Sequence, residues 1–491
     1  MTVRRVMGTE TEYAVSAPAV SNANPVQLSF DVIGAAADPE RSRIRWDYRQ
    51  EDPVNDARGT RLERAAARPD MLTDEPQLNI VNVIAPNGGR MYVDHAHPEY
   101  SAPETTDPFE AVRYDHAGDL LMRRAAASAS ARTGHDIVLH RNNVDGKGAS
   151  WGTHENYMML RSVPFDTVAA LMTAHFVSRQ IYAGSGRVGI GERSETAGYQ
   201  LSQRADYIHA ILGLQTTFER PIVNTRDESH SPSDYRRLHV IVGDANRMDV
   251  PQTLKLGATS MLLWLAEHAD ETGYDLAALL DSMALVDPVS AMHTVSHDLT
   301  LQAELPLRDG GVTNAWIMQV RLRAAVYEMG ALVYGTDTRG EPLWPDKPTT
   351  GIMALWGQAL ADVAAIRHAD DDTRLNMQPE ASRVEWLMKW QLLERLRRRH
   401  GLSWNDPKLR AIDLGWAALD PVRSIFEKVR SRTERTVDDR QVADAAGNAP
   451  QTTRAWLRAA VVNRYASQVV AVSWSHLTVR RHDAPQTGEE S

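Results

Sequence analysis

The chain of 491 residues contains no cysteine. Disulfides, a thiolate nucleophile and Cys-ligated zinc are excluded, so any metal must be held by oxygen or imidazole. A basic surplus is missing too. The formal net charge is −10, which argues against a general nucleic-acid binder while leaving room for a local basic groove. No apolar run is long: windows such as residues 258–266 fall far short of the about 20 residues of a membrane span. The opening stretch, MTVRRVMGTETEYAV, lacks the apolar segment of a secretory signal. These absences point to a cytoplasmic protein with neither membrane nor nucleic acid as partner. A phosphate-loop signature and a regular βαβ rhythm are also missing, so α+β is the expected class rather than a doubly wound sheet. What is present is a globular balance, 43% hydrophobic and 24% charged, in a chain long enough for one large domain and a smaller one.

Residues 4–15 alternate as a strand does, and 90–93 read as another, entered through the turn signal Asn87-Gly88-Gly89. Strands are also expected at 137–140, 156–160, 238–242 and, late in the chain, 469–479. Helical spacing covers 107–132, 252–269 and 316–334. Between 24 and 82 the pattern degrades into a polar stretch containing RWDYRQEDPVNDARG. A long irregular segment inside a compact domain is usually functional or disordered. Beyond 410 the pattern changes to short helical pieces with a punctuated loop at 450–454. This predicts a large domain over 1–410, with an irregular loop at about 36–80, and a small C-terminal domain over 411–491 ending in a polar tail.

Four constellations can carry chemistry. Glu10 and Glu12 stand two apart, so in a strand they share one face. Two carboxylates that close call for a cation, and Mg²⁺ prefers carboxylate and phosphate oxygen; the competing reading is a solvated strand face. Tyr92 and Asp94 likewise share a face, with Asp94 at the strand end beside His95, His97 and Glu99. A carboxylate there can serve as general base or nucleophile if metal and arginine control its ionisation, or it can simply bond a turn. His154 and Asn156 would share a face after the glycine-containing loop at 146–152, and a neutral His154 could ligate metal, against the alternative of a plain loop. Arg204, Arg226, Arg236 and Arg237 can grip phosphate or carboxylate bidentately, although surface ion pairing is the default for any one of them. The basic run at 395–400 reads as a solvated helix end, with an acidic partner as the alternative.

The stretches MGTETEY, RMYVDHAHPEYSAPE, NNVDGKGASWGTHENY, LSQRADYI, PIVNTRDE, YRRLHVIVGDAN and PQTTRA, in this order from Met7 to about Leu477, resemble the family of ligases and depupylases of the prokaryotic ubiquitin-like protein, Pup. That resemblance implies a glutamine-synthetase-like fold, a curved antiparallel sheet packed with helices, over the large domain. It implies Mg²⁺ ligation by Glu10, Tyr92 and Glu99, with His154 and His239 near metal or phosphate. It implies nucleotide contacts from Arg90, the backbone around Ala102, Asn156, Arg226 and Trp474, and it gives Asp94 the catalytic position. Glu12 is added as a metal ligand from its spacing, and Arg204 as a candidate for substrate or phosphate.

Asp-His-Ala-His-Pro-Glu at 94–99 and the RWDYRQEDPVNDARG segment are similar to the depupylase branch rather than the ligases. Departures are Ala102, where ligases look to have threonine, and Ser229, where a proline is usual. The implied activity is Mg-ATP-dependent hydrolysis at the γ-carbonyl of Pup's C-terminal residue. This covers removal of Pup from target lysines and deamidation of a terminal glutamine, with ATP a bound cofactor rather than a fuel. Pup and pupylated proteins are the implied partners, and a monomer is compatible with all of this. The rival expectations are a Pup ligase that consumes ATP, a small-molecule carboxylate-amine ligase, and a non-catalytic adaptor that binds ATP and Pup.

Overall fold

A computed structural model of the chain describes residues 4–63, 65–67, 82–228 and 230–480. The polar tail, Ser229 and the last part of the 36–80 loop lie outside the described residues. The strands used below are β1 (Met7–Glu12), β2 (Arg45–Trp46), β3 (Asn82–Ile84), β4 (Arg90–Asp94), β5 (His97–Ser101), β6 (Thr153–Leu160), β7 (Tyr235–Val240), β8 (Val469–Val472) and β9 (Leu477–Val479). The helices are α1 (Pro25–Gly34), α2 (Pro108–Thr133), α3 (Phe165–Ser178), α4 (Asp249–Thr272), α5 (Ala315–Tyr334), α6 (Lys347–His368) and α7 (Ala455–Tyr465).

Alternation in the sequence becomes a two-faced sheet. β7-β6-β1-β5-β4-β3 form six antiparallel strands in that spatial order. One face is apolar: Met7, Met91, Tyr100, Tyr157, Met159 and Leu238 are all buried. Helices α2 and α4 lie beneath that face, and α3, α5 and α6 extend the main core away from it. Local signals fix the helix ends. Asp107 caps α2 by accepting from the Phe109 and Glu110 amides, Pro108 opens it and Gly134, at φ 73°, closes it.

Expected and observed elements differ in instructive places. The strand starts of β6 and β7 and both ends of α4 shift by about three residues, within the ordinary uncertainty of boundaries. The 24–82 stretch is not wholly irregular. It opens with α1, where Asn24 caps by accepting from the Val26 amide and Leu28, Val32 and Ile33 are buried. The late strand is a hairpin, β8 and β9, interrupted at 473–476, and β2 adds to it in parallel. α6 has the length and apolarity of a membrane span, contrary to the expectation that apolar stretches are all shorter. Its Ile352, Met353, Trp356, Val363 and Ile366 are buried in the protein core.

Trp416 and Phe426, just past the expected boundary at 410, also join the main core. A separate small apolar cluster joins Val462, Val469 and Val472 with Ile44, Trp46 and Ile84.

Candidate active site

Strand register gathers the expected residues. Glu12 faces Glu99, which faces Tyr92. Glu10 faces Ser101 on one side and His154 on the other, and Asn156 lies between Gly8 and His239. Directly opposed residues of antiparallel strands project to the same face. Glu10, Glu12, Arg90, Tyr92, Asp94, Glu99, His154, Asn156 and His239 therefore all rise from the face opposite the helices. The intervening Thr9 and Thr11 point the other way and donate to Asp115 of α2, at 2.9 and 3.2 Å, which pins β1 from below.

Among the described residues, two groups have ligand-capable atoms within 4.8 Å of one another: Glu10, His154 and His239, and Glu12, Asp94 and Glu99. In the first, His154 Nδ1 is 3.3 Å from Glu10 Oε2 and Arg237 is 3.8 Å from Glu10 Oε1. Asn156 Oδ1 accepts from Arg237 at 3.0 Å and lies 3.0 Å from His239 Nδ1. In the second, Glu12 accepts from the Gly152 amide at 2.9 Å and lies 3.3 Å from His97 Nδ1. Asp94 is met by His95 Nδ1 at 2.7 Å, and His95 holds the left-handed backbone, φ 52°, of the turn between β4 and β5.

Proton affinities in the site are pulled apart. Burial alone would raise the Glu10 carboxyl, but the bond to His154 and the charges of His239 and Arg237 hold it well below the ordinary carboxylate range. Burial likewise opposes ionisation of Glu12, yet His97, His154 and the Gly152 amide bring it down to about 2. Glu99 goes the other way. Burial and then the charges of Asp94, Glu12 and Glu10 push it well above its usual value, and burial with Glu99 and Glu10 does the same to the Tyr92 phenol. Burial and Arg237 push His239 well below its usual value, leaving a neutral imidazole able to ligate. A buried carboxylate among three others is costly unless a cation joins it. The donor set therefore fits a hard divalent ion such as Mg²⁺, with Tyr92 a neutral oxygen donor.

A cavity of about 380 Å³ adjoins the first group. Glu10, Glu104, Asn156, Arg237 and Arg454 line it together with Ala102 and Trp474. This mix of charged, polar and aromatic lining suits a nucleotide.

Arg90 and Arg226 are not among the lining residues. Arg90 stacks over Trp46 and Tyr92 at 4.1 and 3.9 Å and donates to Asn82 Oδ1. Arg226 lies 3.9 Å from Glu228. Arg204 spends its terminal nitrogens on Ser150 Oγ, Trp151 O and Ile241 O, and burial with Arg220's charge brings it down to about 9. It braces the loop before β6.

A second cleft, of about 990 Å³, opens beside Ala96, His97 and Trp151, with Lys147, Arg187 and Arg410 on its lining. His97 and Gly152 fall outside the expected site residues, and Arg237 was expected only among the arginines able to grip phosphate or carboxylate. Arg237 was legible, standing two before His239 in the same strand. Gly152 was not: a Cβ there would lie 2.1 Å from His154 Nε2.

An antiparallel sheet carrying acids, imidazoles and a nucleotide-sized cavity on one face, with helices on the other, defines the class of protein. The chain belongs to the Pup-ligase family, whose model matches residues 5–478. It is 41% identical over 480 residues to the Pup deamidase/depupylase of Mycolicibacterium smegmatis, covering 96% of this chain and 91% of that one. It is 40% identical over 479 residues to the depupylase of Acidothermus cellulolyticus, covering 96% and 90%. To the Pup–protein ligase of Micrococcus luteus it is 35% identical over 416 residues, covering 82% and 84%. Among solved structures, the complex of Pup with its ligase PafA matches with a TM-score of 0.75 at 26% identity, over 97% of this chain and 86% of that one. PafA with ADP matches with a TM-score of 0.68 at 28% identity, over 84% and 88%.

Proposed function

We propose that this protein is a Mg-ATP-dependent amidohydrolase that removes Pup from target lysines and deamidates the C-terminal glutamine of Pup. Its likeness to enzymes named depupylase is higher and covers more of the chain than its likeness to the named ligase cited above. The observation that carries the chemistry is Asp94 at the open end of β4, its carboxylate within 4.8 Å of those of Glu12 and Glu99.

Glu10, Tyr92, Glu99, His154 and His239, with Glu12, would hold Mg²⁺, and Asn156, Ala102 and Trp474 the nucleotide, with Arg90 and Arg226 as outlying contacts. When bound, the metal would neutralise the acid cluster and stabilise negative charge on the substrate carbonyl oxygen. Asp94 attacks the γ-carbonyl carbon or takes a proton from the attacking water; trapping of an acyl-Asp94 adduct by hydroxylamine separates the two. The departing amine needs a proton, and His95, 2.7 Å from Asp94, is placed to supply it.

The large cleft beside His97, whose lining carries the exposed Lys147 and Arg410 together with Asp145 and Asp413, is the candidate groove for an acidic, disordered peptide that folds as it binds, despite the net charge of −10. We read the sheet as the glutamine-synthetase-like cradle, the chain beyond 410 as a small domain that closes the nucleotide end, and the cytoplasm as its compartment.

Incubation with a pupylated substrate, and separately with glutamine-ending Pup, in Mg-ATP tests this. Free target protein and ammonia should appear without sustained ADP formation. ADP accumulating one-for-one with new isopeptide would identify a ligase instead.

A further inference from the structure

Two chain segments that line the nucleotide-sized cavity, at Glu104 and Trp474, and the turn before β4 meet at one buried arginine. Arg458 of α7 is 2% exposed, and all of its donor nitrogens are engaged. Its Nε donates to Gly88 O at 2.8 Å, in the turn that leads into β4. NH1 donates to Trp474 O at 2.8 Å, and the guanidinium lies 4.9 Å from the centre of the Trp474 ring. NH2 donates to Glu104 Oε2 at 2.6 Å, just past β5, and NH1 reaches Glu104 Oε1 at 3.3 Å. Glu104 also takes a bond from Arg454 Nε at 2.7 Å, and Arg454 and Glu104 both line the cavity. Burial resists ionisation of Glu104, but Arg458 and Arg454 bring it down to about 2, so the pair is charged across the working range of pH.

The sheet and α7 are thus tied by charge-assisted bonds whose geometry fixes both the main chain and the ring of Trp474. Trp46 also packs edge-on against the same indole, ring centres 5.1 Å apart. An indole with both contacts is held in place beside the cavity, whereas a loop tryptophan without such support would have to be ordered by the ligand at an entropic cost.

We propose that Glu104 and Arg458 are positioning residues for nucleotide binding, which set the Trp474 wall of the cavity through the bridge between β5 and α7. This rests on the nucleotide reading of that cavity given above. Neither residue needs to touch the reacting carbonyl. The bridge acts on how tightly the base is held and leaves the step at Asp94 alone.

The test is Mg-ADP binding by titration calorimetry with the full-length chain, beside turnover of glutamine-ending Pup. Glu104→Gln should raise the Kd for Mg-ADP roughly 10-fold, the scale of one base–aromatic stack, with kcat at saturating ATP retained. Glu104→Asp, which keeps the charge, should recover most of the affinity. Arg458→Lys preserves the ion pair, and so the fold, but loses the planar reach to Trp474 O; it too should weaken binding. In a Trp474→Ala background Glu104→Gln should add nothing further, because the two changes act through one element. An unchanged Kd in both Glu104→Gln and Arg458→Lys, or full additivity with Trp474→Ala, overturns the inference. A fall in kcat without a change in Kd does so as well. Absence of saturable Mg-ADP binding by the unmutated protein overturns the nucleotide reading itself.

Discussion

At the scale of single residues, the charges of Asp94, Glu12 and Glu10 converge on Glu99. Glu99, deepest in the cluster, takes the rise in proton affinity, while Asp94 sits half-exposed with His95. Asp94→Asn keeps the shape and removes the charge. It should lower turnover by about 10³-fold or more while leaving the melting midpoint and nucleotide binding close to those of the unmutated protein. Full activity in that variant would remove Asp94 from the mechanism.

Gly152 makes a different demand. A Cβ would collide with His154 Nε2 at 2.1 Å and with Glu12 Oε1 at 2.8 Å, so Gly152→Ala must displace a member of each group. Activity should drop roughly 100-fold, the scale of a misplacement of about 1 Å. By contrast, Gly134→Ala at the end of α2, where φ is 73°, should cost about 1 kcal/mol of stability and no activity. A circular-dichroism melt beside a deamidation assay checks both.

At the scale of elements, α2 is the foundation under β1. Asp115 takes the Thr9 and Thr11 hydroxyls and pairs with Arg141, and Asp119 takes the Tyr13 hydroxyl at 2.8 Å and Arg141 at 3.0 Å. His116 links α2 to the start of α4, 3.2 Å from Asp249 and 3.9 Å from Asp119. Burial alone would lower its proton affinity, but the two carboxylates raise it from 6.5 to about 9. A raised imidazole contributes stability that is complete below its unfolded value near 6.5 and is lost as the pH rises through about 9. The stability gap between the unmutated protein and His116→Gln should therefore narrow by roughly 2–3 kcal/mol between pH 6 and pH 10 in urea melts. A gap that stays constant would show that the imidazole is neutral in the fold. The element hardest to read beforehand was α1. Its Asn-Pro opening is a helix-start signal, but its ten residues give too few turns for periodicity to stand out against the polar stretch that follows.

At the scale of the whole molecule, charge has to be segregated. The chain carries −10 overall, so attraction of an acidic peptide to the large cleft beside His97 rests on the exposed Lys147 and Arg410, set against Asp145 and Asp413 on the same lining. Lys147→Glu combined with Arg410→Glu, both exposed, should raise KM for Pup substrates about 10-fold with little change in kcat. In the unmutated protein, KM should climb with salt as the attraction is screened. A salt-independent KM would place Pup elsewhere.

Residue identities and strand period by themselves determined which side chains share a face. Glu10 with Glu12, Tyr92 with Asp94 and His154 with Asn156 follow from the two-residue repeat of a β-strand and nothing more. The family-wide order of motifs was equally legible, since it is a property of the string. Pairing of strands far apart in sequence was not: that Glu12 lies opposite Glu99, and Glu10 opposite His154, depends on register, which long-range packing sets. The same holds for the closeness of Gly152 to Glu12, for the bracing role of Arg204, and for the Glu104–Arg458 bridge. Each joins segments between which the chain carries no local periodic signal, so only the folded arrangement could bring them together.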